Sequence, residues 1–255
     1  MVDVFEEVEE QLRSDHYRKL ALKTLPWVGG AIAAVLLAVG GWQGYGVYQT
    51  KTAAKASEAY ALGLEAFEQG RTAEAQTRFL EVSKSPSVVY KALALQHLGG
   101  LKLTDRDVTG AVSLFDQSAK VAPDLIIGDA ARLKSVYALL DTAPLKDIQA
   151  RLDPLLKDGH PYRTEAREAL AFAKIMAGDF KGARGDFVVV SLSPDAQQGA
   201  RTRANAAMAL IDSGSAKSVP AIVKATLALP APTPMAPGSA VPGLMAQPPQ
   251  GPEGQ

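Results

Sequence analysis

The stretch at residues 177–187, AGDFKGARGDF, decides how the rest of the chain is read. A turn glycine, Gly178, leads into a small residue, Ala183, and one helical turn later an aromatic, Phe187; Pro194 closes the unit. Another small residue, Ala171, follows Leu170 and lies 12 positions before Ala183. The same 12-and-4 spacing occurs as Gly63, Ala75 and Phe79, with Leu62 ahead and Pro86 behind. It returns 36 residues later as Gly99, Ala111 and Phe115, with Leu98 ahead and Pro123 behind. Self-similarity at such a period marks an array of one supersecondary unit that buries its apolar face only by stacking on copies of itself. A weaker unit over Ala130–Pro161, with Ile148, Leu152 and Leu155 as its second-helix core, fills the interval.

The spacing has a mechanical meaning. A small residue on the first helix of each pair lets the second helix come close, and the alanine 12 residues later is its counterpart. The aromatic one turn beyond is expected to fill the gap to the next helix. Glu68-Gln69-Gly70-Arg71 and Ala177-Gly178-Asp179-Phe180 supply the turns within pairs, with glycine available for a left-handed helix end. Ala196–Asp212 reads as a further helix covering the last pair, since a terminal repeat needs a polar outer cap.

Upstream of the repeats, no charged residue occurs from Thr24 to Thr50, and Leu25–Trp42 (LPWVGGAIAAVLLAVGGW) is almost wholly apolar. A helix over Trp27–Tyr48 would be roughly 33 Å long, enough for a hydrocarbon core of about 30 Å. Trp27 at one end, and Trp42, Tyr45 and Tyr48 at the other, fit interfacial aromatic belts. Pro26 suits the first turn of such a helix. The apolar stretch exceeds a signal-peptide core, and its long flank carries Glu6, Glu7, Glu9 and Glu10, so a retained anchor is expected despite the Ala54-Lys55-Ala56 tripeptide. Arg13, Arg18, Lys19 and Lys23 precede it and only Lys51 and Lys55 follow closely, which puts the N-terminus in the cytoplasm. Gly30, Ala34, Ala38 and Gly41 form a small-residue face able to receive another membrane helix, beside a Gly40/Gly44 pair.

The expected organisation is therefore an acidic cytoplasmic segment (1–24), a transmembrane anchor (25–48), a helical-repeat domain (49–214) and a disordered Pro/Ala-rich tail (215–255). Nine of the sixteen prolines fall in Pro220–Pro252, with a short helix expected at Ala221–Leu227.

Composition agrees with an all-α chain that recognises rather than reacts. Hydrophobic residues make up 47% and aromatics 6%, with Ala and Leu dominating, which favours helix. Lys plus Arg and Asp plus Glu number 27 each, so the basic excess of a nucleic-acid binder is missing. Zero cysteines remove disulfides and thiolate metal sites. His16, His97 and His160 have no second histidine or carboxylate at ligand spacing, and His97 reads as an ordinary groove or surface residue. Glu165 and Glu168 read as a solvated helix face. No serine has a nucleophile-elbow context. No metal, cofactor or catalytic residue is expected, and the chain is read as a non-enzyme.

The repeat spacing, and AGDFKGARGDF above all, resembles the tetratricopeptide consensus. Gly41-Trp42 ending the anchor, Ala56-Ser57-Glu58-Ala59-Tyr60 opening the first repeat helix and Ala177–Arg184 together make residues 1–212 similar to the family of ancillary SecYEG translocon subunits. That resemblance implies an α-solenoid of tetratricopeptide-like helix pairs in the periplasm, anchored in a bacterial inner membrane. It implies partners of three kinds: the SecYEG translocon subunits, a membrane-anchored prolyl-isomerase-like periplasmic chaperone, and exported client proteins. The Pro-rich ending after Gly214 departs from the family pattern. A scaffold of envelope or cell-division machinery is the alternative the residues leave open.

Overall fold

The computed structural model describes residues 4–229, except for the side chains of most positions before residue 34. Among the described residues ten α-helices follow one another and no strand occurs. They are α1 (Val4–Glu68), α2 (Thr72–Ser83), α3 (Val88–Thr104), α4 (Val108–Val121), α5 (Leu125–Leu139), α6 (Leu145–Leu152), α7 (Arg163–Met176), α8 (Phe180–Leu192), α9 (Gln198–Asp212) and α10 (Val219–Leu227).

The second helices of three pairs begin by one recipe. The N–H groups of Arg71, Asp107 and Asp179 each reach back to the carbonyls of Ala66, Lys102 and Lys174 at 2.8 Å, closing the preceding helix. This wide loop needs a left-handed residue just before, supplied by Gly70 (φ 71°), Arg106 (φ 60°) and Gly178 (φ 80°). The next helix then starts on a cap: Asp107 accepts the N–H of Gly110 at 2.8 Å, and Asp179 that of Gly182 at 2.9 Å. A Cβ on either glycine would collide with its capping carboxylate. In the first pair Arg71 takes the aspartate's place and Glu74 the glycine's, and the two form an ion pair at 2.7 Å.

Between paired helices lies the contact the spacing anticipates. A Cβ on Gly63 would stand 2.9 Å from Phe79 Cε1, and one on Gly99 2.5 Å from Phe115 Cε1. Ala75, Ala111, Ala171 and Ala183 are fully buried, and Phe79, Phe115 and Phe187 nearly or wholly so. Each aromatic thus covers the small residue of its own partner helix. Phe79 also joins Leu98 and Leu101 of α3 in one apolar cluster, so the gap to the next helix is a second role of the same ring. Phe187 meets Phe172 edge-on at 5.1 Å between ring centres. The weaker unit has aliphatic packing instead, with Ile148, Leu152 and Leu155 at 0% exposure against Leu133, Val136, Ala166 and Ala169. Its first helix begins at Leu125 rather than Ala130, because Asp124 caps it by accepting the Ile127 N–H at 2.9 Å. Its second ends at Leu152: Asp153 keeps helical backbone (φ −47°, ψ −43°), but Pro154 has no N–H with which to continue the hydrogen-bond ladder.

Several expectations need correction. Helix α1 runs without a break from Val4 into the first repeat, so Pro26 lies well inside it rather than in a first turn. The tail does not begin at 215: a 3-10 turn at Ser215–Ser218 leads into α10, which starts at Val219 with Pro220 in its first turn, where the missing N–H costs nothing. The remainder of the Pro-rich segment, 230–255, lies outside the described residues, as do the side chains of Pro26, Val28, Gly29, Ala31 and Ala33 in the expected anchor. Among the described residues no helix is long and apolar enough to cross a membrane.

Two neighbouring glycines give a sharp test of the packing. Gly99 faces Phe115, whereas nothing lies within 4 Å of a Cβ on Gly100. Gly99→Ala is expected to destabilise by about 1–3 kcal/mol through overpacking. Gly100→Ala is expected to stabilise by roughly 0.5–1 kcal/mol, because alanine loses less backbone freedom in a helix. Urea denaturation of both variants reads the opposite signs.

Candidate protein-docking groove

Besides pairing with its own second helix, each first helix touches the first helix of the next pair, so α1, α3, α5, α7 and α9 line one face in succession. Polar tethers hold the stack. Tyr90 donates to Ser57 Oγ at 2.8 Å across α3 and α1, and Ser118 to the Ala92 carbonyl at 2.8 Å across α4 and α3. Arg151 reaches Asp116 at 2.9 and 3.0 Å and Ser135 at 3.0 Å, joining α4, α5 and α6. Arg203 of α9 forms a two-pronged pair with Glu168 of α7 at 2.7 and 2.8 Å. Glu168 is therefore not a solvated helix-face residue but a buried carboxylate, 4% exposed, neutralised by a cation two helices along.

The α1–α3–α5 part of this face holds a cavity of about 360 Å³, lined by Phe67, Gln96, His97, Gly100, Leu101, Leu103, Phe115, Lys134 and Tyr137. Its apolar lining stays open: Phe67 is 47% exposed, Tyr137 45% and Leu103 37%. On the α1 side His97 lies stacked on Phe79 at 4.7 Å between ring centres and edge-on to Tyr60 at 5.5 Å. Burial, with the Lys134 charge adding to it, lowers the His97 pKa below its ordinary value. Burial likewise lowers the pKa of Lys134. Lys134 Nζ donates to Gln96 Oε1 at 2.9 Å, and Gln96 Nε2 donates to the Ile127 carbonyl at 3.3 Å. On the α7 side burial, helped by the Glu168 and Glu165 charges, pushes the Tyr137 hydroxyl up to about 12.

A second cluster lies away from this face. Asp129, fully buried, meets His160 Nδ1 at 2.6 Å and Arg132 Nη1 at 2.8 Å. Sequence spacing concealed this carboxylate partner of His160, because the two residues belong to α5 and to the loop before α7. The pair holds that loop down. Among the described residues no three or more His, Cys, Asp or Glu side chains gather as a metal site would need.

Of the residues singled out from sequence, the repeat-signature set Gly63, Ala75, Phe79, Gly99, Ala111, Phe115, Ala171, Ala183 and Phe187 lies in the seams between helices. Only Phe115 also reaches the floor of the cavity. Gly30, Ala34, Ala38 and Gly41 all lie exposed on α1, with nothing within 4 Å of a Cβ on either glycine. Of the lining residues the sequence suggested a groove position for His97 alone, although a further signal existed. Phe67 and Leu103 occupy one repeat position, four residues past Gly63 and Gly99, so counting one helical turn on from each signature glycine leads to the groove side.

A family model described as a tetratricopeptide repeat-like domain matches residues 25–226. Neither the curated proteins nor the solved structures yielded a match to the chain.

His97 makes the groove sensitive to acid in a defined direction. Its folded pKa lies below 6.5, so under acidic conditions the unfolded chain takes up a proton more readily than the folded one. Its contribution to stability is full above pH 6.5 and is lost as pH falls through the folded value. Thermal unfolding of the native chain and His97→Gln, followed from about pH 7.5 to pH 5.5, is expected to show the steeper loss in the native chain.

Proposed function

Because the chain belongs to the tetratricopeptide repeat-like family over most of its length, we propose that it is a non-enzymatic, membrane-anchored adaptor whose helical-repeat groove docks a protein partner at the protein-export translocon. The observation that carries the docking role is the open apolar cavity on the first-helix face, with Phe67, Leu103 and Tyr137 at its surface. Helix-pair arrays use that face to hold peptide segments.

The anchor rests on a second observation. Trp27 (81%), Leu37 (78%) and Trp42 (84%) stand on one uninterrupted helix with most of their surface uncovered. Large apolar side chains left uncovered along a helix call for an apolar cover. The family match begins at residue 25, so the apolar stretch belongs to the matched pattern together with the repeats. In this reading the segment before residue 25 is cytoplasmic, residues 25–48 cross the bacterial inner membrane, and the repeats face the periplasm. The translocon subunits and a membrane-anchored prolyl-isomerase-like chaperone are the proposed partners, with exported clients passing between them. The face at Gly30, Ala34, Ala38 and Gly41 is the proposed lateral contact with channel helices.

Two experiments test the parts separately. The absence of native cysteines makes single-cysteine topology mapping clean. In intact cells with a permeable outer membrane, an impermeant maleimide is expected to label Ser113→Cys and to spare Ser14→Cys; the reverse pattern overturns the orientation. For the groove, a photo-crosslinking residue at position 100 is expected to capture channel subunits or the chaperone in native membranes, while one at position 78 on α2 is not. Capture of cell-wall or division proteins from position 100 would instead favour the scaffold alternative.

A further inference from the structure

We propose that the groove selects a peptide segment carrying an acidic side chain beside a bulky apolar one, with Lys134 receiving the carboxylate and the Phe67–Leu103–Tyr137 surface receiving the apolar group. The inference rests on the docking role proposed above and narrows its partner.

Charge accounting along the first-helix face carries it. Other cations on the first helices beside it already have carboxylate partners: Arg203 holds Glu168, and Arg167 and Lys174 hold Asp186. Among the described residues Lys134 has no carboxylate within ion-pair reach, and its one hydrogen-bond acceptor is the neutral Gln96 amide. Gln96 is itself 6% exposed and fixed by the Ile127 carbonyl, so it holds the ammonium at the cavity edge without neutralising it. Lys134 is exposed at the cavity edge, so a carboxylate on the peptide can reach its ammonium directly and make a charge-assisted hydrogen bond there.

Neighbouring groups define the orientation. Lys134 and Tyr137 are one helical turn apart on α5, so the two ends of the cavity differ in charge. The Tyr137 end lies under the influence of Glu165 and Glu168. Arg203 neutralises Glu168, whereas Glu165 has no ion pair among the described residues. A carboxylate is therefore repelled from the α7 side and drawn to Lys134. The apolar group beside it fits the opening between Phe67 and Leu103. At about 360 Å³ the cavity takes one large side chain and its flanking backbone, not a folded surface.

The test uses the full-length protein in detergent and fluorescein-labelled peptides, acetylated and amidated at their ends, each carrying Glu between Leu and Phe. Matched peptides carry Gln in place of that Glu. Fluorescence anisotropy is expected to show the Gln peptide binding about two- to fivefold more weakly, because its side-chain carbonyl still accepts from Lys134 and only the charge is lost at an exposed site. In Lys134→Met, which keeps the apolar stem, the Glu and Gln peptides are expected to bind alike. In Tyr137→Ala both are expected to weaken while the Glu preference persists. Circular dichroism and thermal unfolding verify that each variant is folded. Equal binding of the two peptides to the native chain overturns the acidic preference yet leaves the groove as a docking site. A Glu preference that survives in Lys134→Met overturns the role of that residue. If neither peptide binds, the acidic selection is overturned, and crosslinking from position 100 then decides separately whether the groove docks proteins at all.

Discussion

A missing methyl group organises this molecule. At Gly63 and Gly99 the ring of a phenylalanine from the paired helix occupies the space a Cβ would need, 2.9 Å and 2.5 Å from where that atom would stand. Two helices can then approach more closely than side chains normally allow, and the aromatic spans from its own pair to the next. Phe79 shows both halves of the job: it covers Gly63, joins the cluster with Leu98 and Leu101, and lies flat against His97. Once the pair distance is set this way, the first helices fall side by side and the groove exists as a consequence. Its lining residues are mostly different from the ones that fix its shape.

The recipe is kept by substituting in sets rather than singly. Asp107 with Gly110, and Asp179 with Gly182, form cap-and-space combinations in which the carboxylate occupies the room the glycine leaves. The first pair replaces the combination by Arg71 with Glu74, exchanging a cap for an exposed ion pair. An ion pair at that exposure contributes little, on the order of 0.2–1 kcal/mol, and a capping aspartate about 1 kcal/mol. The left-handed position before the second helix is glycine twice and Arg106 once. Arg106 carries a conformation unfavourable to any residue with a Cβ, and its guanidinium donates to the Leu229 carbonyl at 3.2 Å. The fold tolerates these local losses because the seams on either side are closed by fully buried alanines and aromatics.

This division explains what the sequence could and could not reveal. Gly63, Ala75 and Phe79 recur in register because the seam imposes the same steric demand in every copy, so the fold is written as a period. The α5–α6 unit lacks the signature, since Ile148, Leu152 and Leu155 close the seam by aliphatic bulk, and only its proline boundaries and apolar spacing were visible. Partnerships between distant residues left no local mark. Glu168 with Arg203 and His160 with Asp129 unite residues more than thirty positions apart, so a reading by spacing assigned Glu168 to solvent and gave His160 no partner. The groove was legible only by phase. Phe67 and Leu103 repeat at one position, whereas His97, Lys134 and Tyr137 do not recur, which is what a surface shaped for a particular occupant should show.

Repetition and recognition therefore place opposite demands on neighbouring residues of one helix. On α3, Leu98 and Gly99 obey the period, while Gln96, His97 and Gly100 line the groove. Polar groups in a seam must be matched, because an unmatched one weakens every pair stacked beyond it; Ser118, Asp186 and Glu168 each have their partner. A polar group at the groove is held to a different standard, since a partner can complete it from outside. Lys134 sits on that border, held in place by the Gln96 amide but not neutralised by it. Such a residue stabilises the isolated fold little, and its charge acquires a use only when the groove is filled.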